Sequence, residues 1–69
     1  MLTIWVNELL DPGNLMHACI ATRSEELARE CHASFQQHLS LEQQQLGWIA
    51  SLRTVQSWDD VPVNSLNLA

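Results

Sequence analysis

The chain has 69 residues, 46% of them hydrophobic, and sets eight carboxylates against three arginines and no lysine, for a formal net charge of −5. A surface of that sign repels phosphate backbones and anionic lipid headgroups, so direct nucleic-acid binding and membrane-surface binding are disfavoured. A chain this short buries only about 60% of the surface its unfolded state exposes, which leaves stability marginal, and two cysteines are too few for a disulfide-dense scaffold.

The opening MLTIWVNELL is too short to span a bilayer and lacks the basic start of a signal peptide. A cytoplasmic protein with reduced thiols is the expectation. Residues 2–10 are rich in strand formers, with Thr3, Ile4, Trp5 and Val6 in a row. Asp11-Pro12-Gly13-Asn14 reads as a turn: Pro12 presets φ, Gly13 accepts positive φ, and Asp11 bonds back to the following backbone. Residues 15–22, LMHACIAT, are a second apolar run, so residues 1–23 read as a β-hairpin.

A helix follows. Thr22 and Ser24 both suit an N-cap, Thr22-x-x-Glu25 fits a capping box, and Glu25 and Glu26 sit at the positive end of the macrodipole. Leu27, Ala28, Cys31, Phe35 and Leu39 recur at helical spacing, which predicts a helix over 24–39 and a helical region reaching residue 45. Residues 46–58 admit two readings. Ser40-x-x-Gln43 starts a second helix in one, with Leu41, Trp48, Ile49, Leu52 and Val55 as its stripe. In the other, Gly47 ends the helical region and Trp48 to Ser57 form a third strand. The strand is favoured, because Gly47 is costly inside a helix and the run contains Trp, Ile, Thr and Val. The tail, residues 59–69, carries Pro62 and two asparagines and reads as turns and an extended end.

The expected fold class is α+β, one small domain in the order β-β-α-β, with β-β-α-α as the alternative. A right-handed crossover sets the third strand parallel to the second, and a place beside the first strand makes a mixed sheet. Both faces of the hairpin carry apolar groups: Leu2, Ile4 and Val6 against Trp5 and Leu9, and Met16, Ala18 and Ile20 against His17, Cys19 and Ala21. One helix covers one face. The other is expected to stay open and to mark an interface.

The stretch MHACIATRSEELARECH, residues 16–32, holds His17, Cys19, Cys31 and His32. His17 and Cys19 share a strand face, whereas Cys31 and His32 stand about 100° apart on a helix, so the four do not converge on a tetrahedral site. The reading is no metal and no cofactor, with a small metal-binding protein using His17, Cys19 and His32 as the alternative. Nothing suggests an enzyme. No strand–turn–helix elbow or activated nucleophile pair occurs, and Gly13 and Gly47 are too far apart to form a phosphate-binding loop. The thiol of Cys31 lies among Glu25, Glu26 and Glu30, the opposite of an activating setting. Asp59 and Asp60 read as a solvated loop or helix start rather than half of a cation site. The three tryptophans, Trp5, Trp48 and Trp58, carry more weight, because tryptophan is enriched at binding hot spots.

From His17 to Gln56 the order is strand, TRSEELAREC as helix entry, and GWIASLRTVQ as a returning strand. In layout, size and charge this resembles small acidic bacteriophage proteins that block host machinery, including RNA polymerase inhibitors and anti-CRISPR proteins. The resemblance brings no diagnostic motif and carries over no functional residue. It implies a non-catalytic inhibitor or regulator that acts by steric blockade of a protein partner with a basic or mixed surface. The candidate partner-binding residues are Trp5 and Trp58 as anchors, with Glu25, Glu26, Glu30, Asp59 and Asp60 supplying charge. A homodimer is expected. A structural subunit of a larger assembly is a further reading.

Overall fold

The computed structural model describes residues 2–68; Met1 and Ala69, the end residues of the expected hairpin and tail, lie outside the described residues. Strands β1 (Ile4–Leu10) and β2 (Met16–Thr22) form the antiparallel hairpin, with Trp5 opposite Thr22 and Leu9 opposite Ala18. Asp11 builds the turn: its Oδ1 accepts from the backbone N–H of Gly13 at 2.8 Å and of Leu15 at 2.9 Å. Positive φ falls on Asn14, at 65°, and not on Gly13 as the sequence suggested. The reason is the loop length. Asn14 N–H donates to the Asp11 carbonyl at 2.9 Å and Asp11 N–H to that of Leu15 at 3.0 Å. Pro12-Gly13-Asn14 is therefore a three-residue loop whose last residue is left-handed, a conformation asparagine tolerates better than most.

Helix α1 (Glu25–His38) begins at Ser24, whose Oγ accepts from Leu27 N–H at 3.2 Å. Thr22, the other candidate cap, ends β2, and its Oγ1 accepts from Ser24 N–H at 3.1 Å. The expected helical region is built as two helices, because the chain turns extended at the buried Leu39. Ser40 and Gln43 then close a capping box on helix α2 (Leu41–Leu46), each side chain 3.0 Å from the other's backbone N–H. Gly47, with φ 104°, stops that helix, and strand β3 (Ile49–Val55) follows. Residues 46–58 thus contain the favoured strand, and the competing cap at Ser40 launches only a short helix before it.

The sheet order is β3-β1-β2-β4. Strand β3 runs antiparallel to β1, with Val6 opposite Arg53, so it shares the direction of β2 as expected. Those three strands pair only antiparallel. The sheet is mixed because β4 (Leu66–Leu68), which the sequence reading left as an extended end, adds parallel to β2 with Leu66 opposite Ile20.

Trp5, Asn7 and Leu9 face α1: Asn7 Nδ2 donates to the Ala28 carbonyl at 3.0 Å, and Arg29 lies over the Trp5 ring. Alternation sends Ile4 and Val6, with their neighbours Cys19 and Ala21, to the other face. That face is not open, contrary to expectation. Val61, from the segment between β3 and β4, packs against Ile4, Val6, Cys19 and Ala21. None of the five is more than 8% exposed. A short 3-10 turn at Trp58–Asp60 and the chain after it supply the cover that one helix does not. No described helix is long and apolar enough to cross a membrane.

Candidate interaction surface

The carboxylates divide into two groups. Glu8 pairs with Arg53 at 2.8 Å, Asp11 with His17 at 2.9 Å, and Glu25 with Arg29 at 2.7 Å. Glu26, Glu30, Glu42, Asp59 and Asp60 make no ion pair among the described residues, and all are exposed. Glu26 and Glu30 lie one turn apart on α1. Asp59 and Asp60 belong to the segment that crosses the opposite face of the sheet. The charges proposed from sequence therefore form two acidic surfaces on either side of the sheet.

The two candidate tryptophan anchors differ in their surroundings. Trp5 is half-buried, and the Arg29 guanidinium lies 5.7 Å from its ring centroid while also binding Glu25. Three side chains are thus tied together on the helix side, which leaves Trp5 and Glu25 engaged within the chain. Trp58 is exposed, and no cation sits over its ring among the described residues. It lines a cleft of about 350 Å³ together with Asp59, Val61, Pro62, Val63 and Asn67. Asn67 is oriented by the Ser65 hydroxyl, which donates to its Oδ1. Trp58 and Val63 (99% exposed) give the cleft its exposed apolar groups, whereas Leu66, paired with Ile20, points to the α1 side of the sheet. Ser57 sets the local geometry by capping the 3-10 turn, its Oγ accepting from Asp59 N–H at 3.1 Å.

No family model, curated protein or solved structure matches the chain.

Of the soft residues, His17 and Cys19 do not share a strand face. The pairing jumps from Leu9–Ala18 to Leu10–Met16, which leaves His17 as the extra residue of a bulge. Its ring packs on Trp48 with centroids 4.6 Å apart, and its Nε2 bonds Asp11. That contact holds the Asp11 carboxyl below its ordinary value, helped by the Leu15 and Gly13 N–H groups. Cys19 lies under Val61, where burial, and then the nearby Glu8, push its thiol pKa up. Cys31 and His32 are on α1, and both cysteines are free thiols. Among the described residues no three His, Cys, Asp or Glu side chains are grouped to hold a metal ion.

Further exposed apolar side chains lie in the hairpin turn, on α2 and at the start of β3. Leu15, Leu41, Leu46 and Ile49 are each at least half exposed. Gly47 brings the turn and α2 together, since a Cβ placed there would touch Pro12 at 3.6 Å. The available signal was spacing: Leu41 and Leu46 are five apart, so on a helix they point about 140° away from each other and cannot share one buried stripe.

Proposed function

We propose that this chain is a non-catalytic protein-binding inhibitor or regulator that engages a basic or mixed surface on a larger partner and blocks it sterically. The observation that carries the reading is the C-terminal segment, where exposed Trp58 and Val63 stand beside two carboxylates that make no ion pair among the described residues. An aromatic anchor with an acidic rim binds by burying the ring, while the charges raise association rate and select the partner. The resemblance to phage-encoded inhibitors of host machinery, anti-CRISPR or RNA polymerase inhibitor in type, agrees with the size and charge. Free thiols suit a reducing, cytoplasmic setting.

Trp58, Asp59 and Asp60 form the primary contact. Glu26 and Glu30 contribute long-range steering from the other side, and Trp5 and Glu25 serve the fold. The test is a pull-down from host cells with the parent chain and with Asp59→Lys/Asp60→Lys, followed by an activity assay on the recovered partner. The reading expects one stoichiometric partner, lost with the variant and inhibited by the parent chain. Purified protein carrying stoichiometric metal would move the assignment to the metal-binding alternative.

The exposed Leu15 and Leu46 favour a homodimer through the end of the molecule where the hairpin turn meets the end of α2. The only carboxylate on α2 is Glu42, so two copies approach there with less repulsion than through the Asp59 side. Sedimentation of the parent and of Leu15→Glu/Leu46→Glu tests it; a monomeric parent at high concentration removes the dimer.

A further inference from the structure

Arg29 shows how this chain holds a guanidinium. Its Nη2 lies 2.7 Å from a Glu25 carboxylate oxygen, and its central carbon 5.7 Å from the Trp5 ring centroid. An indole face beside a carboxylate suits that group, because the planar cation stacks on the ring while its edge donates to the oxygens. The cleft on the C-terminal segment presents the same two receiving groups, Trp58 and Asp59, in its wall. There no cation is in place among the described residues.

We infer that this cleft receives an arginine side chain from a basic segment of the protein partner, its guanidinium stacked on Trp58 and donating to Asp59. The inference rests on the protein-binding reading above and specifies its central contact. A volume of about 350 Å³ is at the low end for a ligand pocket and accommodates one long side chain, not a folded element. Pro62 and Val63 flank the arginine's aliphatic stem, as long cationic side chains require of an apolar surface. Asn67 adds an acceptor, because its Oδ1 keeps a second lone pair after bonding the Ser65 hydroxyl. Lysine fits less well, since its ammonium is a compact, strongly hydrated charge without a plane to stack. Phosphate-bearing ligands are repelled by Asp59 and Asp60.

The test is a titration of the isotope-labelled full chain with three capped peptides of one sequence, carrying arginine, lysine or the neutral isostere citrulline at the same positions. The indole N–H signal of Trp58, assigned by its loss in Trp58→Phe, and the Asn67 side-chain amide are followed by NMR. The arginine peptide is expected to shift both signals, the lysine peptide to bind more weakly, and the citrulline peptide to leave them unmoved. Asp59→Asn and Trp58→Leu should each weaken arginine-peptide binding by about threefold to thirtyfold. Asp59 is exposed, so its variant keeps the fold, which the amide spectrum reports. Shifts centred on Glu26 and Glu30, with Trp58 unmoved, would overturn the cleft and leave an acidic binding surface standing. Equal binding of the arginine and lysine peptides, insensitive to Trp58→Leu, would overturn the stacking. No response to either cationic peptide, with a basic partner still recovered from cells, would overturn the arginine contact alone. No response and no partner would remove both readings.

Discussion

The side-chain amide of Asn7 donates to the backbone carbonyl of Ala28 at 3.0 Å, joining a central strand of the sheet to the helix that covers it. Both residues are fully buried, and Asn7 Oδ1 accepts no hydrogen bond among the described residues. An unsatisfied buried oxygen costs about 1–3 kcal/mol, comparable with what one such bond returns. Asn7→Leu keeps the branched shape but is larger, so overpacking offsets the relief of the unsatisfied oxygen and stability should stay within about 2 kcal/mol of the parent. Asn7→Asp removes the donor and aims a charge at a carbonyl, so it should cost more than about 3 kcal/mol at pH 7. Burial raises the pKa of that new carboxyl, so its penalty grows as pH rises through ionisation and is relieved near pH 4. Urea denaturation at the two pH values checks this. A leucine variant as unstable as the aspartate one would refute it.

Gly47 and Gly13 should respond differently to alanine. Gly47 has φ 104°, where a Cβ is strained even though the space beside Pro12 is an ordinary 3.6 Å contact. Gly47→Ala should cost about 1–2 kcal/mol. Gly13 does not have positive φ, and its Cβ would meet only Asp11 Oδ1 at 3.4 Å. Gly13→Ala should be close to neutral, within about 0.5 kcal/mol, because the turn's left-handed residue is Asn14. Thermal denaturation of the two variants decides it: equal losses would mean that the two glycines meet the same constraint.

What could be read from the sequence was local. The strand-forming runs around Ile4 and Ile20, the turn at Asp11, the amphipathic α1 and the Ser40/Gln43 cap are all short-range signals. The Trp58-Asp59-Asp60 juxtaposition could also be read, because those residues are consecutive. The rest depends on contacts the chain makes with itself at a distance. Strand β4 has three residues, too few for alternation to appear, and exists because the β2 edge accepts it in parallel. The bulge that turns His17 toward Trp48 has no marker in MHACIAT. The engagement of Trp5 by Arg29 joins β1 to α1, and the burial of Cys19 depends on Val61, far along the chain.

The turn should show its own pH dependence. The Asp11 carboxyl lies below its ordinary 3.8, chiefly through the hydrogen bond from His17, with Leu15 and Gly13 N–H adding to it. A carboxyl whose folded pKa is depressed contributes stability that is present above the unfolded value and lost as pH falls through the folded one. The parent should thus lose stability as pH falls below the ordinary carboxyl range, while Asp11→Asn should start lower and lose less over that range. Carboxyl-carbon NMR titration reads the midpoint directly. An Asp11 midpoint at or above the ordinary value would show that the hydrogen bonds are not formed in solution.

The segment over the second face makes the two thiols unequal. Cys19 is 7% exposed beneath Val61, with its pKa raised above 9.0 first by burial and then by Glu8, whereas Cys31 is half-buried on α1. Thiolate is the reactive form, so an alkylating reagent near neutral pH should modify Cys31 first. Modification of Cys19 requires the segment around Val61 to lift, a local opening whose frequency follows its stability. Val61→Ala should lower stability by about 1–3 kcal/mol. It should also speed Cys19 labelling by about tenfold, the factor that 1.4 kcal/mol represents, while leaving the Cys31 rate nearly unchanged. Peptide mass spectrometry at timed quenches separates the two sites. If Cys19 reacted as fast as Cys31 in the parent, the C-terminal segment would not be seated on the sheet, and the cleft beside Trp58 would lose its floor at Val61.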